Sequence, residues 1–181
     1  MENTSITIDY VKSLNKPTDK FLCSLSDNLY DIKFLSFRVR DLDSGFVLFE
    51  VEDNEENNES SEPVSDEARV IKYHLGSDFL ELTNLGTNLT FRVGSTPVKN
   101  LQMIERHYFK DNLIKSFEFK FDFCIPNSTN NWETIYNIPQ LDDELKRDMI
   151  ASPWQTVSDS FYFADGKLIM HHKAYYNYSD I

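Results

Sequence analysis

Between Ile114 and Ile125 the chain reads IKSFEFKFDFCI, with Phe117, Phe119, Phe121 and Phe123 alternating with Glu118, Lys120 and Asp122. Period two sorts residues onto the two faces of a strand, whereas a helix would scatter them around its axis. The segment therefore predicts a strand with one aromatic, buried face. The rest of the chain supplies partners for such a face: 14 Phe, 9 Tyr and 2 Trp stand among 181 residues, with only 5 Gly. That length suffices for one domain with a sizeable core and is short of two full-sized ones. We read residues 1–181 as a single domain.

Strand-like segments recur at short spacing along the chain. Residues 29–40 (LYDIKFLSFRVR) alternate in two phases, Tyr30, Ile32 and Phe34 and then Leu35, Phe37 and Val39, which predicts a β-bulge. Asp43-Ser44-Gly45 carries turn chemistry, and FVLFEVE continues as the hairpin partner. Further strands are predicted at RVIKYHL, FLELTNL, NLTFRV, LQMIERHYF, DSFYFA and KLIMHHKAYYNY, with turns at Leu85-Gly86, Gly94-Ser95 and Asp165-Gly166. Two short helices interrupt this pattern. Ile8, Val11 and Leu14 follow Thr7 as a cap and stop before Pro17. After Pro139, Leu141, Leu145 and Met149 lie four apart on an acidic-to-basic segment near 140–151, a helix expected over a sheet edge or sandwich end. About nine strands with few helices imply an all-β fold, an immunoglobulin-like antiparallel β-sandwich.

Charge narrows the function. The formal net charge is −12, and residues 52–67 (EDNEENNESSEPVSDE) hold eight acids and no base, −8 of that total. This stretch has no apolar periodicity and reads as an acidic flexible loop inserted between strands. A field of this sign repels phosphate backbones and anionic headgroups, so neither nucleic-acid binding nor stable membrane insertion is expected. The start, MENTSITIDY, lacks a signal segment, and Glu2 in place of glycine means the chain is not itself a myristoylation substrate. A cytoplasmic protein is expected, with Cys23 and Cys124 as reduced thiols.

No P-loop, GxGxxG, GxSxG, HExxH or EF-hand pattern occurs. His171 and His172 are adjacent on a strand and point to opposite faces, which makes them a poor metal pair. Asp159 and Glu105 are acids on strands, with no spacing that marks a general acid and base. No catalytic residue, metal or cofactor is assigned, and the chain is not expected to be an enzyme. Phenylalanine stripes are ordinarily plain core. Two sheets held slightly apart would instead enclose an apolar slot able to hide an acyl chain. Periodicity alone leaves both open.

Several blocks in order carry a resemblance. Met103-Ile104-Glu105-Arg106-His107-Tyr108-Phe109, Leu113 to Phe117, Phe123-Cys124-Ile125-Pro126-Asn127-Ser128, and Ser158-Asp159-Ser160-Phe161-Tyr162-Phe163 with Leu168 to His171 resemble the GMP phosphodiesterase delta-subunit family. Arg38-Val39-Arg40-Asp41 with Asp43-Ser44-Gly45, the Glu105 block and SDSFYF look most similar to its myristoyl-binding "uncoordinated" branch. The resemblance implies a chaperone that takes the N-myristoylated N-terminus of a client between its sheets and carries it through the cytoplasm to membranes or the cilium. Implied clients are Gα subunits, Src-type kinases and ciliary proteins, and the implied releasing partner is an Arf-like small GTPase. Prenylated C-termini as the cargo, or a filled sandwich acting as a protein-interaction scaffold, are the alternatives.

By the same resemblance the lipid-binding positions fall on Phe37, Val39, Val70, Tyr73, Phe79, Phe91, Phe117, Ile138, Tyr162 and Tyr176. Glu105 and His107, with Tyr73, fall on polar positions that would bond the acyl amide and first client residues; the plainer alternative is a cross-strand polar pair. Two departures stand out. Asp122 occupies a place where the family commonly has glycine, and the acidic loop is unlike familiar members.

Overall fold

The computed structural model describes residues 5–53 and 65–181, so the 54–64 portion of the predicted acidic loop lies outside the described residues. Nine strands are present among the described residues: β1 (Lys33–Asp41), β2 (Val47–Glu52), β3 (Val70–His74), β4 (Asn84–Arg92), β5 (Val98–Phe109), β6 (Asn112–Cys124), β7 (Thr129–Asn137), β8 (Thr156–Ala164) and β9 (Lys167–Asn177). They form a four-stranded sheet, β2-β1-β4-β7, facing a five-stranded sheet, β3-β9-β8-β5-β6. All pairs are antiparallel except β3 with β9. The fold is an immunoglobulin-like sandwich, and its core is the layer where the inward residues of the two sheets meet.

The predicted bulge in the first strand is real and has a use. Register against β4 shifts between Phe34 and Ser36. The extra residue brings both phases of the pattern, Phe34 and then Phe37 and Val39, to the inner face. A second shift acts in the opposite direction. Asp122 has φ +74°, and the β5–β6 register jumps between Leu101↔Asp122 and Val98↔Cys124. Alternation breaks there, so Phe123 is 52% exposed while Cys124 is fully buried. The predicted buried stripe thus ends at Phe121.

Three further expectations need correction. FLELTNL is not a strand: residues 77–81 form a 3-10 turn anchored where the Ser77 amide and hydroxyl donate to Asp180 Oδ1. A strand would send Phe79 and Leu80 to opposite faces, whereas the turn lets both pack into one cluster. Leu85-Gly86 is not a turn but the start of β4, where a Cβ on Gly86 would come within 2.8 Å of Leu42 Cδ2. Finally, β7 had not been expected, although Trp132, Thr134 and Tyr136 alternate inward along it.

Two helices flank the sandwich. Helix α1 (Ile8–Ser13) is capped by the Thr7 hydroxyl, which accepts from the Tyr10 amide at 3.1 Å. It buries Val11 against Ile104, Phe161 and Phe163 on the outer face of the five-stranded sheet. The segment that follows is pinned to the same face. Asp159, fully buried, accepts from the Thr18 amide at 3.0 Å, from Lys173 Nζ at 2.7 Å and from His171 Nε2 at 2.8 Å. His171 Nδ1 accepts from the Leu22 amide at 3.0 Å, which fixes the ring as a neutral Nε2–H tautomer. Desolvation would raise the Asp159 carboxyl, but His171 and Lys173 hold it below the usual range. Helix α2 (Asp143–Ala151) is capped by Asp142 and packs Met149 with Leu80, Phe109 and Tyr178 at one end of the sandwich. Among the described residues no helix is long and apolar enough to cross a membrane.

Candidate functional site

The two sheets do not meet along their whole length. Between them lies a cavity of about 430 Å³, within the ~300–1,000 Å³ range of small-molecule sites. A belt of rings runs most of the way around it. Phe37 lies 6.1 Å from Phe49, which lies 5.1 Å from Tyr73 across the β2–β3 edge. Tyr73 stacks on Tyr176 at 5.5 Å, Tyr176 approaches His107 at 5.7 Å, and His107 approaches Phe117 at 5.5 Å. Phe117 closes on Tyr136 at 4.7 Å, across the β6–β7 edge. The belt holds the sheets together at both edges while leaving the middle hollow. Val51 and Ile71 line the cavity and are 57% and 46% exposed, so it opens between β2 and β3.

Most of the sequence-derived site residues converge on this space. Phe37, Val39, Tyr73, Phe79, Phe117, Ile138, Tyr162 and Tyr176 line it, as do Glu105 and His107. Val70 and Phe91 do not. Val70 and Tyr73 stand three apart on β3 and therefore face opposite ways; Ile71, not Val70, shares the inner face with Tyr73. Phe91 points inward but lies beyond the cavity, 1% exposed, 5.3 Å from Phe121 and 6.3 Å from Trp132. It packs the closed end. Leu89, Met103, Trp132 and Tyr136 also form walls and had not been singled out. The alternation Trp132-x-Thr134-x-Tyr136 was the signal that could have found two of them.

One polar station sits among these apolar walls. Glu105 Oε1 accepts from the Ser160 hydroxyl at 2.9 Å, and Tyr136 lines the same space within reach of the carboxylate's charge. His107 Nε2 is 3.3 Å from Glu105 Oε2, within electrostatic reach, yet the two do not form a hydrogen bond and this buried nitrogen makes none. Glu105 and His107 are neighbours two apart on one strand, so the polar pair runs along β5; the cross-strand contact is the one to Ser160. Desolvation would raise the Glu105 carboxyl, but the nearby His107 and the neighbouring hydroxyls of Tyr136 and Ser160 hold it below the ordinary range. It is ionised at neutral pH. Burial, together with the Glu105 charge, pushes the Tyr73 phenol up to about 12 and raises Tyr136, Tyr162 and Tyr176 as well, so all four are neutral donors. His172 also faces the cavity, flanked by Phe34 and by the edge-on Tyr162; burial, then the nearby His171 and Arg69, lower it to about 4. His171 faces the opposite side, as strand alternation requires.

Such a site is built for binding an apolar ligand. Its walls exclude water and its few polar groups converge on one point, where a donor could reach Glu105 and a ligand's polar atom could occupy His107 Nε2.

Comparison with known proteins agrees with this architecture. The GMP-PDE delta-subunit family profile matches residues 26–178. Protein unc-119 of Caenorhabditis briggsae is 48% identical over 177 residues, covering 98% of this chain and 82% of its own. Protein unc-119 homolog B of Homo sapiens is 46% identical over 182 residues (97% and 72%), and the Drosophila melanogaster homolog 42% over 196 residues (98% and 74%). The chain belongs to the GMP-PDE delta-subunit family, on its unc-119 branch.

Proposed function

We propose that this protein is a carrier that hides the acyl chain of N-myristoylated clients in the cavity between its sheets. The observation that carries this reading is an apolar cavity, open at one edge, with an amide-matching polar station inside it. Along β8 the lining runs from Thr156 to Tyr162, ~20 Å at the rise of a strand. One leaflet of a bilayer, half of a ~30 Å hydrocarbon core, sets the reach of an acyl chain at ~15 Å. The lengths are compatible. Burying about a dozen methylenes at ~0.8 kcal/mol each offers roughly 10 kcal/mol before the costs of binding. That is comparable with what a bilayer offers the same chain, so transfer between the two is near balance.

Glu105 and His107 favour an N-acyl amide, whose N–H meets a carboxylate and whose carbonyl meets His107. A prenyl thioether offers neither partner. Unloading requires a second protein that binds the opened or empty form better than the loaded one; an Arf-like GTPase in its GTP form is the partner we propose, with delivery to membranes or the cilium. Gα subunits, Src-type kinases and ciliary proteins are the proposed clients. Fluorescence titration with matched myristoylated and unlipidated Gly-starting peptides tests the reading. The expected result is binding of the lipidated peptide alone; equal affinities would remove it, and preference for a farnesylated C-terminal peptide would replace it with the prenyl reading.

A further inference from the structure

A slot that recognises its cargo mainly by a hydrocarbon tail faces a competitor with the identical tail, the unattached fatty acid. The hydrophobic term cannot separate them, because it is non-directional and scales with buried area alone. Discrimination must come from a feature that penalises the wrong ligand. We propose that Glu105 is that feature, a selectivity filter that admits an acyl chain ending in a neutral amide and rejects the same chain ending in a free carboxylate. This inference rests on the acyl-carrier reading above and adds to it which competing ligand the site excludes.

The geometry is specific. Glu105 projects from β5 into the cavity, and its own strand supplies His107 beside it. From β8 the Ser160 hydroxyl donates to it; Tyr162 of β8, Tyr136 of β7, Tyr73 of β3 and Tyr176 of β9 line the same cavity and feel its charge. These are hydroxyl donors, and the phenols are held neutral by burial. The neighbouring cations are committed elsewhere: Arg106 faces the outer side and donates to the Leu14 carbonyl, and Lys173 donates to Asp159 and the Thr18 carbonyl. The carboxylate therefore stands in a water-poor space with its charge offset by dipoles and one imidazole. An amide N–H is welcome there. A second carboxylate would bring like charge against like charge, where Coulomb repulsion is weakly screened. The cation in the lining that a fatty carboxylate could seek is Lys115, half-buried with Nζ 5.7 Å over the Phe117 ring.

The test is displacement of a fluorescent acyl probe from the whole protein by three ligands that share one tail: N-myristoylglycinamide, methyl myristate and myristate. For the unaltered protein we expect the amide to bind roughly 100-fold or more tighter than myristate. Methyl myristate, uncharged but without the amide N–H, should fall within about tenfold of the amide, assigning the rejection to charge. In Glu105→Gln the amide-to-myristate ratio should shrink below about tenfold, whatever the absolute affinities do. Comparable binding of myristate and amide would overturn the filter. So would a methyl ester as weak as myristate, a readout that needs no variant, or an unchanged ratio in a folded Glu105→Gln. Selective loss of myristate binding in Lys115→Met would also overturn it, by placing the carboxylate on the lysine. Failure of amide, ester and myristoyl peptide alike would instead remove the carrier reading beneath it.

Discussion

At one end of the sandwich Phe91, Leu101 and Cys124 are at most 2% exposed, and Phe121 packs on Trp132 at 5.5 Å. Two residues further along the same strands, Leu89 and Met103 face a cavity of about 430 Å³. Strand type, alternation and pairing partners are shared, yet one half is filled and the other hollow. The difference lies in how rings are used. At the closed end Phe91 and Phe121 meet across the gap between the sheets; around the cavity the rings pack on their neighbours in a belt that leaves the centre empty. The filled end supplies stability, and the hollow half, with its ionised Glu105, is shaped for a ligand.

Substitutions should expose this division. Phe91→Ala leaves a void in the filled end and should cost about 3–5 kcal/mol of unfolding free energy, read from a denaturant midpoint, while the ratio of lipidated to unlipidated peptide affinity stays as it was. A cost under about 1 kcal/mol would mean that the closed end is loosely packed.

The next largest effect is that of pH, and its main contributor, His172, lines the hollow half. His172 is held near 4 in the folded protein against about 6.5 when unfolded. Above the unfolded value neither state carries the proton. As pH falls from about 6.5 to about 4 the unfolded chain takes it up and the folded protein does not, so about 3 kcal/mol of stability is lost across that window. His171, also lowered by burial, acts in the same direction. His172→Phe should therefore flatten the profile between pH 7 and 5; an unchanged slope would contradict the burial of this ring. Asp159 and Glu105, both held low, withdraw their support only further into acid, as pH falls through their depressed folded values.

Leu89→Ala enlarges a space that is already empty on one side. We expect about 1–2 kcal/mol, less than for Phe91→Ala, together with weaker binding of the lipidated peptide. A cost equal to that at Phe91 would show that the wall is as tightly packed as the closed end. The smallest expected effect is at the bulge. Asp122 adopts φ +74°, a conformation that glycine accepts without steric cost, so Asp122→Gly should stabilise by about 0.5–1 kcal/mol. A loss of stability would show that the carboxylate itself holds the bulge.

Much of the fold was legible because it rests on period two. The Phe117–Phe121 stripe, the bulge before Phe37 and the Thr7 helix cap follow from local rules. What escaped reading depends on where the chain departs from them. Asp122 reverses the phase and turns Phe123 outward; Gly86 sits near the start of β4, where Leu42 crosses over it; Phe79 and Leu80 both pack only because the chain turns there. The chemistry of the site was less legible. Resemblance brought ten of twelve residues to the cavity, but Val70 is one position out of phase and Phe91 lies one layer too deep. Whether a slot is hollow is set by the distance between sheets, which no single strand encodes, and the polar station needs β5, β7 and β8 brought together.

The central claim is that an acyl chain occupies the space inside the aromatic belt. Isotope-edited NOE spectroscopy on the complex with a peptide carrying a carbon-13 myristoyl group tests it directly. The account predicts contacts from the chain to Leu85, Leu89, Phe117 and Tyr176, which line the cavity. Contacts confined to the exposed Phe46, Val47 and Phe123, with none to those four, would contradict it.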